Sequence, residues 1–101
     1  MIIYNVTVKI NKSAEGEWLN WMKEIHIPAL MATGDFVSNR FCRLLGAPHD
    51  DNDVTYVIQY YCNSIEDLQH YQQNFAPALQ KEYNEKFKGL FVAFRTVMEE
   101  I

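Results

Sequence analysis

Six stretches of hydrophobic periodicity follow one another along this chain, and their order leaves few folds open. Residues 2–10 alternate with a period of two. Ile2, Tyr4, Val6, Val8 and Ile10 take one face, and Ile3, Asn5, Thr7 and Lys9 the other. Successive strand side chains point to opposite sides, so this is a strand with one dry face and one mixed face. Asn11-Lys12-Ser13 breaks the pattern. Ser13 is expected to cap a helix whose first turn carries Glu15 and Glu17, where carboxylates meet the positive end of the helix dipole. From residue 14 to about 33 the period is helical, with Trp18, Met22, Ile25 and Ala29 at i, i+4, i+7 and i+11. Pro28 has no N–H for the Glu24 carbonyl and crowds it, so a kink or break is expected there. Gly34 closes the element as a helix cap.

Residues 35–45 read as a second strand through Phe36, Val37, Phe41, Leu44 and Leu45, and residues 46–53 are turn chemistry. Residues 54–62 form a third strand. Val54, Tyr56, Ile58 and Tyr60 stand on one face of it, Thr55, Val57, Gln59 and Tyr61 on the other, and the two strands make a hairpin. Ser64-Ile65-Glu66-Asp67 has the form of a capping box and opens a second helix. Its apolar stripe is Leu68, Tyr71, Phe75, Leu79, Tyr83 and Phe87; Lys81 with Glu85, and Glu82 with Lys86, are spaced to pair on the outer face. Pro77 should kink or restart this helix, Gly89 should stop it, and residues 90–98 form the fourth strand.

Strand, helix, two hairpin strands, helix, strand is the order of the ferredoxin-like βαββαβ fold, in the α+β class. Right-handed crossovers give a four-stranded antiparallel sheet in the order 4-1-3-2 with both helices on one face. A chain of 101 residues with 49% hydrophobic content suits one domain, residues 1–101, around one core. The other sheet face has no cover of its own, yet carries Ile3, Val57 and Tyr61, and Phe91 and Val97 are expected with them. A second copy packed sheet to sheet about a two-fold axis would hide it, so the expected partner is the chain itself, as a homodimer.

Charge and cysteine usage narrow the other partners. Nine basic residues against thirteen acidic ones leave a net charge of −4, so nucleic acid is not expected as a partner. No apolar run approaches the roughly 20 residues of a membrane span, and the N-terminus reads at once as a strand, so a cytoplasmic location is expected. Hairpin register places Cys42 near Val57 and several positions from Cys62, so two reduced thiols are expected. Lys88-Gly89-Leu90-Phe91-Val92-Ala93-Phe94 echoes an RNA-recognition motif but is one residue short and on the fourth strand instead of the third. RNA binding through the sheet is therefore a distant alternative.

The run Trp18-Leu19-Asn20-Trp21-Met22-Lys23-Glu24-Ile25-His26-Ile27-Pro28, continuing through Met31-Ala32-Thr33-Gly34-Asp35-Phe36, resembles a family of bacterial proteins of about this length catalogued as a domain of unknown function. Ile3-Tyr4-Asn5-Val6-Thr7-Val8, Cys42-Arg43-Leu44-Leu45, Ala76-Pro77-Ala78-Leu79 and Phe91-Val92-Ala93-Phe94-Arg95-Thr96 match as well, so the resemblance spans nearly the whole chain. It implies a dimeric α/β barrel, in the superfamily that holds antibiotic-biosynthesis-type monooxygenases, haem-degrading enzymes and stress-induced dimers. It implies no particular reaction and no catalytic residues.

Candidate chemistry rests on few residues. His26 lies at the edge of the first helix's apolar stripe, where an imidazole serves either as an acid or base near neutral pH or as a half-buried ring satisfying a neighbour. Asn5, Thr7, Arg40, Gln59, Tyr61 and Arg95 lie on strand faces, where they could converge on an anionic or phenolic ligand. A related type of cofactor-free aromatic oxygenase uses Asn, Trp, Tyr and Arg in such a cavity. The competing role for the same residues is a polar network across the two-fold. Trp18, Trp21, Tyr71, Tyr83 and Phe87 form core or line an aromatic pocket. His70 stands among Gln69, Gln72 and Gln73 on a solvent-facing position, so no haem is expected. His49-Asp50-Asp51-Asn52-Asp53 lacks the Gly and terminal Glu of a calcium loop, and Cys42 and Cys62 lack zinc spacing, so no metal and no cofactor is called for.

Two functions follow: a small-ligand-binding or structural homodimer, or a cofactor-independent monooxygenase- or isomerase-like enzyme acting on a small hydrophobic or aromatic molecule. In the enzyme, His26 would shuttle a proton, Arg40 or Arg95 would stabilise an anion, and Asn5 would orient the substrate.

Overall fold

The strand at the N-terminus, β1 (Ile2–Asn11), has partners on both sides and organises the sheet. The computed structural model describes residues 1–46 and 52–101. His49, Asp50 and Asp51 of the acidic turn lie outside the described residues. β1 runs antiparallel to β3 (Asp53–Cys62) and to β4 (Phe91–Glu99), and β3 carries β2 (Ser38–Arg43) on its far side. The order β2-β3-β1-β4 is the expected 4-1-3-2 read from the other edge. Among the described residues no helix is long and apolar enough to cross a membrane.

The register settles which parity faces the helices. Tyr4, Val8 and Ile10 of β1 and Tyr56, Ile58, Tyr60 and Cys62 of β3 are buried on that side. Ile10 pairs with Phe91, Val8 with Ala93, Val6 with Arg95 and Tyr4 with Val97. Phe91 and Val97 therefore belong to the helix side, not to the open face expected for them. β4 is apolar on both sides, so its own pattern could not decide this, and its pairing with β1 did. The open face instead presents Ile3, Val57, Tyr61, Val92, Phe94 and Met98. Cys42 pairs with Val57 on that open face while Cys62 is buried beneath the helices, and both thiols are free.

The second strand is shorter than expected, beginning at Ser38. An unbroken alternation from residue 35 would have placed Phe36 on the open side with Ser38 and Arg40. A bend at Val37 lets Phe36 reach the core instead, 4.9 Å from Tyr71 and 5.2 Å from Tyr60, ring centre to ring centre.

Each expected helix is divided at its proline. The first consists of α1 (Glu15–Trp21), a π-turn (Met22–His26) and α2 (Ile27–Ala32). It is entered by a 3-10 turn (Lys12–Ala14) capped by the Asn11 carboxamide, which accepts from the Ser13 N–H, so the cap is Asn11 and not Ser13. The second consists of α3 (Ile65–Asn74), which Ser64 caps by accepting from the Asp67 N–H at 3.2 Å, and α4 (Ala76–Lys86). Pro28 and Pro77 both sit in a first turn, where a missing N–H breaks no helical bond. Lys81 faces Glu85 as its spacing predicts, but Lys86 reaches across to Glu17 at 3.4 Å in place of Glu82. Gly89 follows α4 at φ 75°, a left-handed turn that suits glycine.

The core between helices and sheet is dominated by rings. Trp18 packs 5.0 Å from Tyr56 and 5.6 Å from Phe41, and its indole N–H donates to the Tyr83 hydroxyl. Ile58, with no exposed surface, lies in the same layer. Ile58→Ala should lower unfolding free energy by about 2–5 kcal/mol, the range for a buried aliphatic truncation. Ser64→Ala should cost only about 1 kcal/mol, the value of a helix cap. Urea denaturation of the two variants checks the ranking.

Candidate functional site

One enclosed cavity lies between the helices and the sheet. Val6, Val8, Ile58, Tyr60 and Ala93 form its sheet side, with Met22, Leu30, Tyr71 and Tyr83 opposite. Tyr4 reaches in from β1, and His26, Gln80 and Arg95 complete the lining. Most of these residues are buried, whereas Val6, His26, Gln80 and Ala93 are half-buried and Arg95 is exposed, so these five mark the mouth. The enclosed space is about 20 Å³. That is room for about one water molecule, since one needs roughly 10–15 Å³.

His26 reaches this cavity because of the π-turn. In an unbroken α-helix, Ile25 would share the inward face with Trp18, as its spacing predicts, and His26 would stand at the edge. An i→i+5 turn takes up one more residue than an α-turn. The Ile27 N–H bonds back to the Met22 carbonyl, and the inward position passes from residue 25 to residue 26. Ile25 is accordingly half exposed, at 50%. Pro28 is the local cause, because the wider turn carries the Glu24 carbonyl away from the pyrrolidine ring.

The imidazole stacks on Trp21 with centroids 4.9 Å apart and planes 22° apart, and meets Tyr83 edge-on at 5.0 Å. Burial, and then the charge of Arg95, push His26 down to about 4, so the ring is neutral at pH 7. Arg95 and Gln80 share the lining with Tyr4 and oppose the rise that burial imposes on its phenol. Burial pushes the phenols of Tyr4, Tyr60, Tyr71 and Tyr83 up, so all four stay protonated. A neutral base, a permanent cation and several hydroxyl donors thus face one small volume.

The candidates from the sequence divide between two surfaces. His26 and Arg95 meet in the cavity. Asn5, Arg40, Gln59 and Tyr61 lie on the opposite side of the sheet: Asn5 pairs with Gln59, which pairs with Arg40, and the Tyr61 hydroxyl donates to Gln59 at 3.0 Å. Asn5 donates to the Thr7 hydroxyl at 3.3 Å on that face. A substrate in the cavity is therefore out of reach of Asn5 and Arg40, which the sheet separates from it. Tyr71 and Tyr83 line the cavity, while Trp18, Trp21 and Phe87 are core. Gln80 and Tyr4 were not singled out in the sequence. Tyr4 carried a signal, as the one phenol among aliphatic residues on the dry face of β1. Gln80 carried none, being one polar residue among many on α4. His70 is exposed, and its Nδ1 lies 2.9 Å from the Asp35 carboxylate, away from the cavity.

Two outcomes follow from the placement of His26. Between pH 6.5 and about 4 the unfolded chain takes up a proton that the folded chain refuses. Stability should therefore rise with pH across this window and be complete above it. Denaturation midpoints at pH 4.5 and 7 should differ less in His26→Leu than in the native chain. Pro28→Ala restores an N–H and removes the ring clash, so the turn should revert to α geometry. His26 would leave the cavity, and its titration by NMR should move up towards 6.5.

Among curated proteins none matches this sequence. Several solved structures share the fold. An ethyl tert-butyl ether d (ethd) family protein from Bacillus halodurans aligns over 100% of both chains with TM-score 0.68 and 16% identity. A dimeric ferredoxin-like protein from an uncultured marine organism aligns over 100% of this chain and 95% of its own, with TM-score 0.73 and 11% identity. SnoaB, a cofactor-independent oxygenase from Streptomyces nogalater, aligns over 98% and 92% with TM-score 0.64 and 10% identity. At these identities the likeness is one of fold. A family model covers residues 1–101 without interruption, and the chain belongs to the family described as domain of unknown function DUF4286.

Proposed function

We propose that this protein is a homodimer, closed through its open sheet face, that binds a small ligand in the cavity between helices and sheet. The observation that carries the ligand is the convergence of His26, Gln80 and Arg95 at the mouth of an otherwise apolar and phenolic interior. Packing alone has no need of a polar rim there, whereas ligand sites combine apolar walls with a few convergent polar groups. The small volume means that a ligand enters by displacing a lining side chain. Met22, unbranched and adaptable, is the one best suited to move.

The homodimer is supported by the face the helices leave bare. Phe94 is 64% exposed, Val92 55% and Met98 37% on β4, Ile3 of β1 pairs with Met98, and Val57 of β3 lies across Thr7 from Phe94. Large apolar side chains exposed together on one sheet face mark an interaction surface. Asn5, Arg40, Gln59 and Tyr61 then serve as the polar network of that interface. The dimeric marine protein of the same fold is consistent with this arrangement. Two free thiols suit a reducing, cytoplasmic setting.

A second reading has its own support. A neutral imidazole beside a guanidinium can accept a proton while the cation stabilises the anion left behind. This would make the protein a cofactor-independent enzyme acting on a small hydrophobic or aromatic molecule, with SnoaB as a fold relative of that type.

Native mass spectrometry of protein purified gently from its own cells tests both. A doubled subunit mass carrying a retained small molecule is expected. A lone subunit at micromolar concentration would sink the dimer. Conversion of the retained molecule on incubation, abolished in His26→Gln, would favour the enzyme. Phe94→Glu should shift sedimentation to the single-chain mass while far-ultraviolet circular dichroism is unchanged.

A further inference from the structure

Building on the ligand-binding reading, we propose that the cavity recognises a small organic monoanion, with its carboxylate seated on Arg95, Gln80 and the Tyr4 hydroxyl. The charge balance of the lining is the first ground. Arg95 is its only permanently charged residue, and no Asp or Glu is among the lining residues. Nor does Arg95 form an ion pair with a carboxylate among the described residues. A guanidinium presents a fixed fork of donors that matches a carboxylate geometrically. Its exposure at the mouth lets water satisfy it when the cavity is empty. An entering carboxylate would exchange that water for charge-assisted bonds.

The second ground is the polarity of the neighbouring groups. Arg95 and Gln80 line the cavity with Tyr4, so the donor groups of three side chains border one small space. Tyr60 and Tyr71 line the same space with protonated hydroxyls. A site rich in donors and free of negative charge suits an acceptor that carries charge. Size sets the third limit. A volume of about 20 Å³ holds one water and not a whole carboxylate, so the oxyanion sits at the mouth and a short apolar body enters only as Met22 moves aside.

Anion binding should be linked to protonation of His26. The groups that face His26 are Arg95 from β4, Tyr83 from α4, Tyr4 from β1, Tyr60 from β3 and Tyr71 from α3, with the exposed Lys23 and Glu24 on its own element. None of those in the cavity is a carboxylate. A bound anion would offset the Arg95 charge and let the ring take up a proton at higher pH.

The test is an NMR titration of the His26 imidazole with formate, acetate and benzoate against formamide, acetamide and benzamide. At least one acid should bind ten-fold or more tightly than its amide, and its binding should move the His26 titration up by a unit or more. Arg95→Gln should weaken that binding at least ten-fold, while Lys12→Gln, remote from the cavity, leaves it unchanged. If Arg95→Gln does not fold, Arg95→Lys keeps the charge but loses the fork and should bind less tightly than the native chain. Amides that bind as tightly as acids would overturn the anion class and leave the ligand-binding reading standing. Silence of all six probes would overturn both. Undiminished binding by the folded Arg95 variants would overturn the seat assigned to the carboxylate.

Discussion

The ten-residue antiparallel ladder between β1 and β3, from Ile2 opposite Cys62 to Asn11 opposite Asp53, is the constraint on which the rest depends. Side chains alternate across a strand, so a slip of one residue would turn a whole face inside out. A slipped β1 would carry Tyr4 out of the core and bring Asn5 in, and a slipped β3 would do the same with Tyr60 and Gln59. A one-residue slip is opposed because Tyr4, Val8, Ile10, Tyr56, Ile58 and Tyr60 are all buried together on the helix side. β4 then inherits its orientation from β1, and with it the placement of Arg95 beside the cavity.

A second constraint acts on the helical layer. A proline placed seven residues after Trp21 forbids an unbroken α-helix, and the chain answers with a π-turn. The turn re-aims the helix by one residue and exchanges an isoleucine for a histidine at the inward position. Packing follows: His26 settles between Trp21 and Tyr83, and its proton affinity falls because that place is dry and faces a cation. A backbone adjustment forced by one ring thus becomes a property of the site. Pro77 is met differently: the chain leaves helical geometry at Phe75 and restarts as a new helix with a buried Ala76 at its start.

The two faces of the sheet divide the chemistry. The helix side encloses a cavity with a cation and a neutral imidazole, and the open side carries an apolar patch laced with Asn5, Arg40, Gln59 and Tyr61. Strand polarity alone made these residues look like one group. Only their pairing partners show that the sheet runs between them, so that His26 and Arg95 can share a ligand and Asn5 and Arg40 cannot join them.

By itself the sequence determined the element order, the α+β class, the strand order, the Ser64 cap and the dry parities of β1 and β3. These follow from local periodicity and turn chemistry, which act over a few residues and need no partner. Tertiary structure alone decided the inward turn of Phe36, the parity of β4, the pairing of Lys86 with Glu17 and the re-aiming of His26. Each of these depends on contact between residues far apart in the chain, or on a backbone offset that shifts the phase of everything after it. A periodic pattern records which residues prefer to be dry. It does not record which neighbour they will meet there.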